Sequence, residues 1–188
     1  MRIISGDHRG RVIAAPAGQG TRPTSDRTRQ ALFNVLAHAS WAPALAGARV
    51  LDLFAGSGAL GLEALSRGAA FAAFVDMAPA AIAAITDNLR VLGLSDRGQA
   101  LKRLAPRLGV WAGTPFDLVF VDPPYGKGLI HPALAALIEG RWLAPGAVLA
   151  VERAADEVLV TPDGFADLDD RVWGAAAVTF LRRGEAAS

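Results

Sequence analysis

The chain has 188 residues, about the length of a single domain, and a net charge of only +1. It contains no cysteine, which excludes disulfides, thiolate chemistry and cysteine-based zinc sites, and its three histidines have no ligand-like spacing, so we expect no metal. No stretch resembles a signal peptide or approaches membrane-spanning length, so the expected location is the cytoplasm, without a membrane.

The first thirty residues hold an excess of positive charge. Six arginines against two aspartates give this segment a charge of +4, and the remaining residues sum to −3. Residues 2–5 and 12–15 are β-like and flank a polar turn, which predicts a hairpin, and a Gly/Pro-rich connector follows up to Pro23. Charge concentrated in this way is typical of an arm that contacts phosphates, although a solvated basic strand pair has the same composition.

The rest of the chain alternates between extended and helical patterns. Ser25 or Asp26 can cap a first helix, whose apolar residues recur at helical spacing. Strands are predicted at residues 49–54, 70–75, 98–102, 116–121 and 146–152. Helices are predicted at residues 59–67, 79–92, 103–109 and 131–140. The alternation predicts an α/β fold with a Rossmann-like, mostly parallel, doubly wound sheet and the hairpin as an N-terminal β-hairpin extension. Residues 158–160 and 175–181 predict a strand pair that closes one sheet edge.

A glycine-rich motif follows the strand predicted at 49–54. Gly56, Gly58 and Gly61 form the pattern G-x-G-x-x-G between this strand and the next helix, and such glycines permit a tight turn and the close approach of a ligand. Asp76 ends the following strand about twenty residues after the first glycine, the spacing expected of an acid that binds ribose hydroxyls. This pattern fits NAD, FAD and S-adenosylmethionine equally. Asp76 could also cap the helix that follows, and the two roles are compatible.

A second motif, Asp122-Pro123-Pro124-Tyr125, ends the apolar strand predicted at 116–121. Ligands bind at the carboxyl ends of strands in open α/β sheets. Two prolines make a stiff corner, which could present a carboxylate and a carbonyl to one planar amino group while the tyrosine ring stacks on the base that carries it. The alternative is a loop that merely terminates the strand.

Together the two motifs resemble S-adenosylmethionine-dependent amino-methyltransferases that carry (D/N)-P-P-(Y/F). The segments 1–11 and 21–36, with R-P-T-S-D-R at 22–27, make the chain similar to the RsmD family, and the match extends from Met1 to about Val151. The resemblance implies methylation of a guanine 2-amino group in bacterial 16S rRNA, at position 966 in the usual rRNA numbering. Its substrate would be 16S rRNA within an assembled or partly assembled small ribosomal subunit.

This resemblance, with the positions of the motifs, gives candidate residues for each role. We expect residues 1–23 to contact RNA and residues 24–188 to form the methyltransferase domain. The catalytic candidates are Asp122, Pro123, Pro124 and Tyr125. The candidates for binding S-adenosylmethionine are Asp52, Phe54, Gly56, Gly58, Asp76, Met77 and Thr24. The candidates for RNA binding are Arg2, Arg9, Arg11, Arg22 and Arg27. Asp52 would hold the cofactor's amino group, or would instead be the buried partner of a helix N-terminus.

Two other functions fit some of the same features. D-P-P-Y serves an adenine 6-amino group as well as a guanine 2-amino group, so a methyltransferase acting on adenine in RNA or DNA is one alternative. The other is a Rossmann-like RNA-binding assembly factor that has lost activity. The family often places an acid or amide after the third strand to read the cofactor's adenine, whereas residues 101–106 here contain no acid, which leaves that contact unassigned.

Overall fold

The computed structural model describes residues 1–16 and 26–184. Four α-helices lie in these ranges: α1 (Asp26–His38), α2 (Ala59–Ser66), α3 (Pro79–Leu92) and α4 (Ile130–Glu139). The strands are β1 (Arg49–Leu53), β2 (Phe71–Asp76), β3 (Gly98–Lys102), β4 (Phe116–Val121), β5 (Leu143–Ala154), β6 (Phe165–Trp173) and β7 (Ala176–Arg183). No helix in the described ranges is long and apolar enough to cross a membrane.

The strands form one sheet in the order β3-β2-β1-β4-β5-β7-β6. The first five run parallel, and β7 is antiparallel to both of its neighbours, so the predicted mostly parallel sheet is confirmed. The chain order reverses between β1 and β4, because β2 and β3 extend the sheet on one side and β5 extends it on the other. A reversal of this kind opens a crevice at the carboxyl ends of the strands, where ligands bind.

Side chains alternate between two apolar clusters, one on each face of the sheet. Phe74 and Phe120 belong to the cluster covered by α1, α2, α3 and the N-terminal hairpin. Val75 and Val119, their neighbours in sequence, belong to the cluster covered by α4. Successive residues of a strand point to opposite faces, so strands buried on both faces read as continuous apolar runs. The doubly wound arrangement is therefore confirmed.

The N-terminal hairpin packs on α2. Arg2 and Val12 form its antiparallel bridge, and Ile3 is buried in the cluster under α1 to α3. The buried carboxylate of Glu63, on α2, accepts hydrogen bonds from the backbone amides of Ile4 and Ser5 at 2.8 and 3.0 Å. The predicted hairpin is thus confirmed, and it shares the core of the main domain. Most of the predicted connector, together with the candidates Arg22 and Thr24, lies outside the described residues.

Two predicted elements are wrong. Residues 103–109 form only a single 3₁₀ turn at Ala105–Arg107, and Gly109, with φ 69°, turns the chain immediately afterwards. The strand that pairs with β7 is Phe165–Trp173 rather than residues 158–160. This strand lies at the edge of the sheet with both faces largely exposed, and it carries several aspartates, so it lacks the apolar pattern that marks a buried strand.

Candidate active site

Four adjacent strands each bring an acid to the carboxyl edge of the sheet. Leu53 of β1 pairs with Val75 of β2 and with Val121 of β4, and Val121 in turn pairs with Val151 of β5. The acids at or next to these paired positions are Asp76, Asp52, Asp122 and Glu152. Carboxylates gathered in one cleft create a negative potential that favours a cationic ligand.

The glycine-rich loop leaves β1 through a run of left-handed backbone. Phe54 has φ 65°, an uncommon conformation for a residue with a side chain, and Gly56 and Gly58 have φ 55° and 77°. A Cβ added to Gly56 would meet no atom within 4 Å, whereas one added to Gly61 would lie 2.3 Å from the Phe74 ring. Gly56 therefore leaves open space for a ligand beside the backbone. Gly61 allows α2 to pack closely on β2.

Asp76 links this loop to the next helix. One carboxylate oxygen accepts the Gly56 amide and the other accepts the Ala78 amide, each at 2.9 Å. α3 begins at Pro79 and has no side-chain cap, so the contact with Ala78 fixes the turn before the helix, and the helix-capping alternative considered for Asp76 is not observed. Each carboxylate oxygen has capacity for a second hydrogen bond, so the contact to ribose hydroxyls stays a compatible prediction.

Two exposed apolar side chains follow the paired ends of β2 and β3. Met77, a predicted cofactor contact, is 60% exposed, and Leu104 is 43% exposed. They come just after Asp76 and Lys102, which pair in the sheet. Sequence reasoning missed Leu104, because it lies in the segment predicted to be a helix.

Asp52 is buried beneath the loop, with 2% of its surface exposed. One carboxylate oxygen accepts the Gly61 amide of α2 at 2.9 Å. Burial raises the pKa of Asp52 well above its usual range; the hydrogen bond from Gly61 opposes this, and the nearby charges of Asp122 and Asp76 add to it. Of the two roles considered for Asp52, the structure shows the contact with the helix N-terminus. Its contact with a cofactor amino group stays a prediction.

The D-P-P-Y corner continues directly from β4. The Asp122 amide donates to the Leu53 carbonyl at 3.3 Å, which ties the corner to the end of β1 beside the glycine-rich loop. Pro123 is buried, while Tyr125 is 37% exposed. The Tyr125 hydroxyl donates to the Glu152 carboxylate at 2.7 Å. Sequence reasoning missed Glu152, although an acid that ends the apolar run of β5 was a usable signal.

The described RNA-binding candidates are exposed, and the hairpin places the arginine on its turn away from the glycine-rich loop. Arg2, Arg9, Arg11 and Arg27 have exposed side chains. The hairpin turn, which carries Arg9, docks on the far end of α2, where the His8 amide donates to the Ser66 hydroxyl at 3.0 Å. Because α2 starts at the glycine-rich loop and has eight residues, the turn lies about 12 Å from that loop along the helix axis.

Metal-binding side chains are not grouped in the part of the chain that the structure describes. Within residues 1–16 and 26–184, no set of three or more His, Asp or Glu side chains could hold a metal ion. The acids at the sheet edge instead have amide and hydroxyl partners of the protein itself, as shown above for Asp52, Asp76 and Glu152.

Comparison with known proteins identifies the family. Residues 1–182 match the family described as Conserved hypothetical protein 95. The sequence is 39% identical to Ribosomal RNA small subunit methyltransferase D of Escherichia coli K12, over 97% of this chain and 90% of that protein. The chain belongs to the RsmD family. A protein of the same name from Haemophilus influenzae is 36% identical over 93% of this chain and 89% of its own length.

A solved structure of a similar protein shares this fold. The structure described as putative methyltransferase yhhF from E. coli has a TM-score of 0.80 and 36% identity to this chain, with 98% of each chain covered. The Rossmann-like methyltransferase fold predicted from the sequence is therefore confirmed.

Proposed function

We propose that this protein transfers a methyl group from S-adenosylmethionine to a guanine 2-amino group of 16S rRNA. One observation carries the proposal: the glycine-rich loop with Asp76 and the D-P-P-Y corner lie side by side, linked by the hydrogen bond from Asp122 to Leu53. A nucleoside site and an acceptor for amino protons thus share one edge of the sheet. The names of the E. coli and H. influenzae relatives, both rRNA small subunit methyltransferases, support the same substrate.

The residues at the edge suit S-adenosylmethionine, which supplies an electrophilic methyl group on a positively charged sulfur when bound. The convergent carboxylates favour that charge. We assign the ribose hydroxyls to Asp76 and the open space beside Gly56 to the methionine end. We assign the packing on the adenine to Met77 and Leu104, which are exposed apolar side chains that follow the ends of β2 and β3.

The D-P-P-Y corner prepares the acceptor. The lone pair of a guanine 2-amino group is delocalised into the ring, so the group is a poor nucleophile. The Asp122 carboxylate and the Pro123 carbonyl accept its protons, which favours a pyramidal nitrogen and stabilises the positive charge that develops there. As the nitrogen–carbon bond forms and the sulfur–carbon bond breaks, the nitrogen loses a proton to the carboxylate or to water. Tyr125 stacks on a base that has left its own stack.

Product analysis tests this function. The protein is incubated with S-adenosylmethionine and, separately, with naked 16S rRNA, a partly assembled particle and the small subunit, and the RNA is digested to nucleosides for mass spectrometry. We expect 2-methylguanosine, and the substrate that yields it identifies the assembly stage in the cytoplasm. 6-Methyladenosine would instead support the adenine-modifying alternative. RNA binding without any methylated product on all three substrates would support the inactive assembly factor.

A further inference from the structure

Glu152 is a buried acid on a strand whose preceding residues are apolar. It follows the apolar run of residues 147–151 on β5, and only 7% of its surface is exposed. Burying a carboxylate costs free energy unless hydrogen bonds compensate for the water that it loses. The 2.7 Å hydrogen bond from the Tyr125 hydroxyl is such a compensation. A hydrogen-bonded pair of polar side chains therefore connects the D-P-P-Y corner with β5.

The hydrogen bond joins the acceptor corner to the neighbouring strand. Because Val121 pairs with Val151, the next residues lie beside each other, Asp122 just after the end of β4 and Glu152 within β5. Tyr125 leads into a loop in which Gly126 and Gly128 adopt left-handed backbone, with φ 67° and 62°. Glycines give such a loop conformational freedom. The hydrogen bond from the Tyr125 hydroxyl to Glu152 restricts the orientation of the Tyr125 ring, which precedes these glycines.

We propose that Glu152 is a positioning residue, which fixes the Tyr125 ring in the orientation that the target base stacks on. Tyr125 is 37% exposed whereas Glu152 is only 7% exposed, so we assign the contact with the base to the ring and the action of the carboxylate to the tyrosine hydroxyl. This inference rests on the proposed methyl transfer. It assigns to the hydroxyl a role that the sequence argument, which used only the ring, did not give it.

A double-mutant cycle on methyl transfer tests the coupling. Glu152→Ala and Tyr125→Phe each remove a hydrogen bond to a charged group, so each should lower kcat/KM by about tenfold. The double variant should lose no more than the single variants, because both remove the same contact. Glu152→Gln, whose amide oxygen still accepts a hydrogen bond, should recover most of the activity. Glu139→Ala removes an exposed acid from the far end of α4 and should match the unchanged protein.

The single tyrosine of the chain provides a second readout, which reports directly on the hydrogen bond between Tyr125 and Glu152. In protein labelled with ¹³C at the tyrosine Cζ, one signal reports on the hydroxyl of Tyr125. It should shift in Glu152→Ala, with S-adenosylmethionine affinity unchanged, and should stay close to its original position in Glu152→Gln. If thermal melting shows that Glu152→Ala does not fold, the test uses Glu152→Gln and Tyr125→Phe instead.

Three results separate the failure of this inference from the failure of the proposed function. An unshifted tyrosine signal in Glu152→Ala would overturn the inference. A tenfold loss caused by Glu152→Ala in the Tyr125→Phe background would also overturn it, since the carboxylate would then act without the hydroxyl. A shifted signal in a protein that transfers no methyl group to any rRNA substrate would confirm the contact and overturn the proposed function on which its catalytic meaning depends.

Discussion

The Gly56 amide donates a 2.9 Å hydrogen bond to the Asp76 carboxylate, twenty residues further along the chain. The other oxygen of the same carboxylate accepts the amide of Ala78, just before α3. The acid that we assign to the ribose therefore also holds the shape of the glycine-rich loop. Under the proposed function, a change at Asp76 would remove a cofactor contact and two hydrogen bonds that fix the loop and the turn before α3.

Asp76→Ala should weaken S-adenosylmethionine binding. Removing a charged hydrogen-bond acceptor that is partly buried costs about 1.5–3 kcal/mol, and isothermal titration measures this as a higher Kd. Asp76→Asn keeps one oxygen acceptor for the Gly56 amide, so its Kd should lie between those of the wild type and Asp76→Ala. Equal affinity in the alanine variant would remove Asp76 from the cofactor site.

Asp52 should make the stability of the protein depend on pH. Its pKa is raised mainly by burial, so the folded protein holds a proton at pH values where the unfolded chain has released it. This contribution is fully present below the unfolded pKa, about 4, and is lost as pH rises through the raised value. Urea unfolding over this range should show a steeper fall in the free energy of unfolding for the wild type than for Asp52→Asn. Parallel curves would mean that Asp52 titrates normally.

Asp122→Ala should lose most methyl transfer while it keeps its affinity for S-adenosylmethionine, because the acceptor contact acts mainly in the transition state. Asp122→Asn is the matched comparison. Its amide oxygen still accepts a hydrogen bond from the amino group, and water can take the proton that is released. We expect it to retain far more activity than the alanine variant in a tritiated methyl assay. Turnover within a few-fold of wild type in Asp122→Ala would reduce the D-P-P-Y corner to a structural role.

Gly61→Ala should destabilise the fold, because the added methyl group would lie 2.3 Å from the Phe74 ring. Overpacking of this kind costs about 1–3 kcal/mol, which thermal melting detects. Adding Phe74→Leu to Gly61→Ala should restore part of the loss, since the smaller side chain makes room for the methyl group. An unchanged melting temperature in Gly61→Ala would show that α2 can move away from β2 at little cost.

Local patterns were sufficient for the elements that carry the two motifs. β1, β2 and β4 are buried over most of their length, so apolar residues dominate their sequences, and the residues that follow them could be placed on one sheet edge. Non-local features could not be predicted in this way. The pairing of Glu152 with Tyr125 depends on the register of β4 and β5, and the docking of the hairpin depends on the carboxylate of Glu63, about sixty residues away. β6 was missed because an exposed edge strand needs no apolar face.

The double variant Arg9→Ala, Arg11→Ala should weaken binding to rRNA or the small subunit and leave S-adenosylmethionine affinity unchanged. Both side chains are exposed on the hairpin, away from the glycine-rich loop. The slope of log Kd against log salt should become shallower by roughly one unit for each phosphate that the protein no longer binds. Arg171→Ala, on the edge strand β6, is the matched control. An unchanged slope in the double variant would place the RNA contact on another surface.

The eight-residue helix α2 sets the distance between the glycine-rich loop and the hairpin turn, and this distance restricts which RNA shapes can contact both. The turn lies about 12 Å along α2 from the glycine-rich loop, and the D-P-P-Y corner lies beside that loop. Under the proposed function, an RNA must present a phosphate to the turn and its guanine to the corner. Only a guanine in a suitably folded rRNA satisfies both contacts together, and the second contact then forms at a high effective concentration. The protein would then select one guanine among the many in the ribosome by the shape of the folded RNA. A short oligonucleotide of identical sequence would lack that shape and would be a poor substrate.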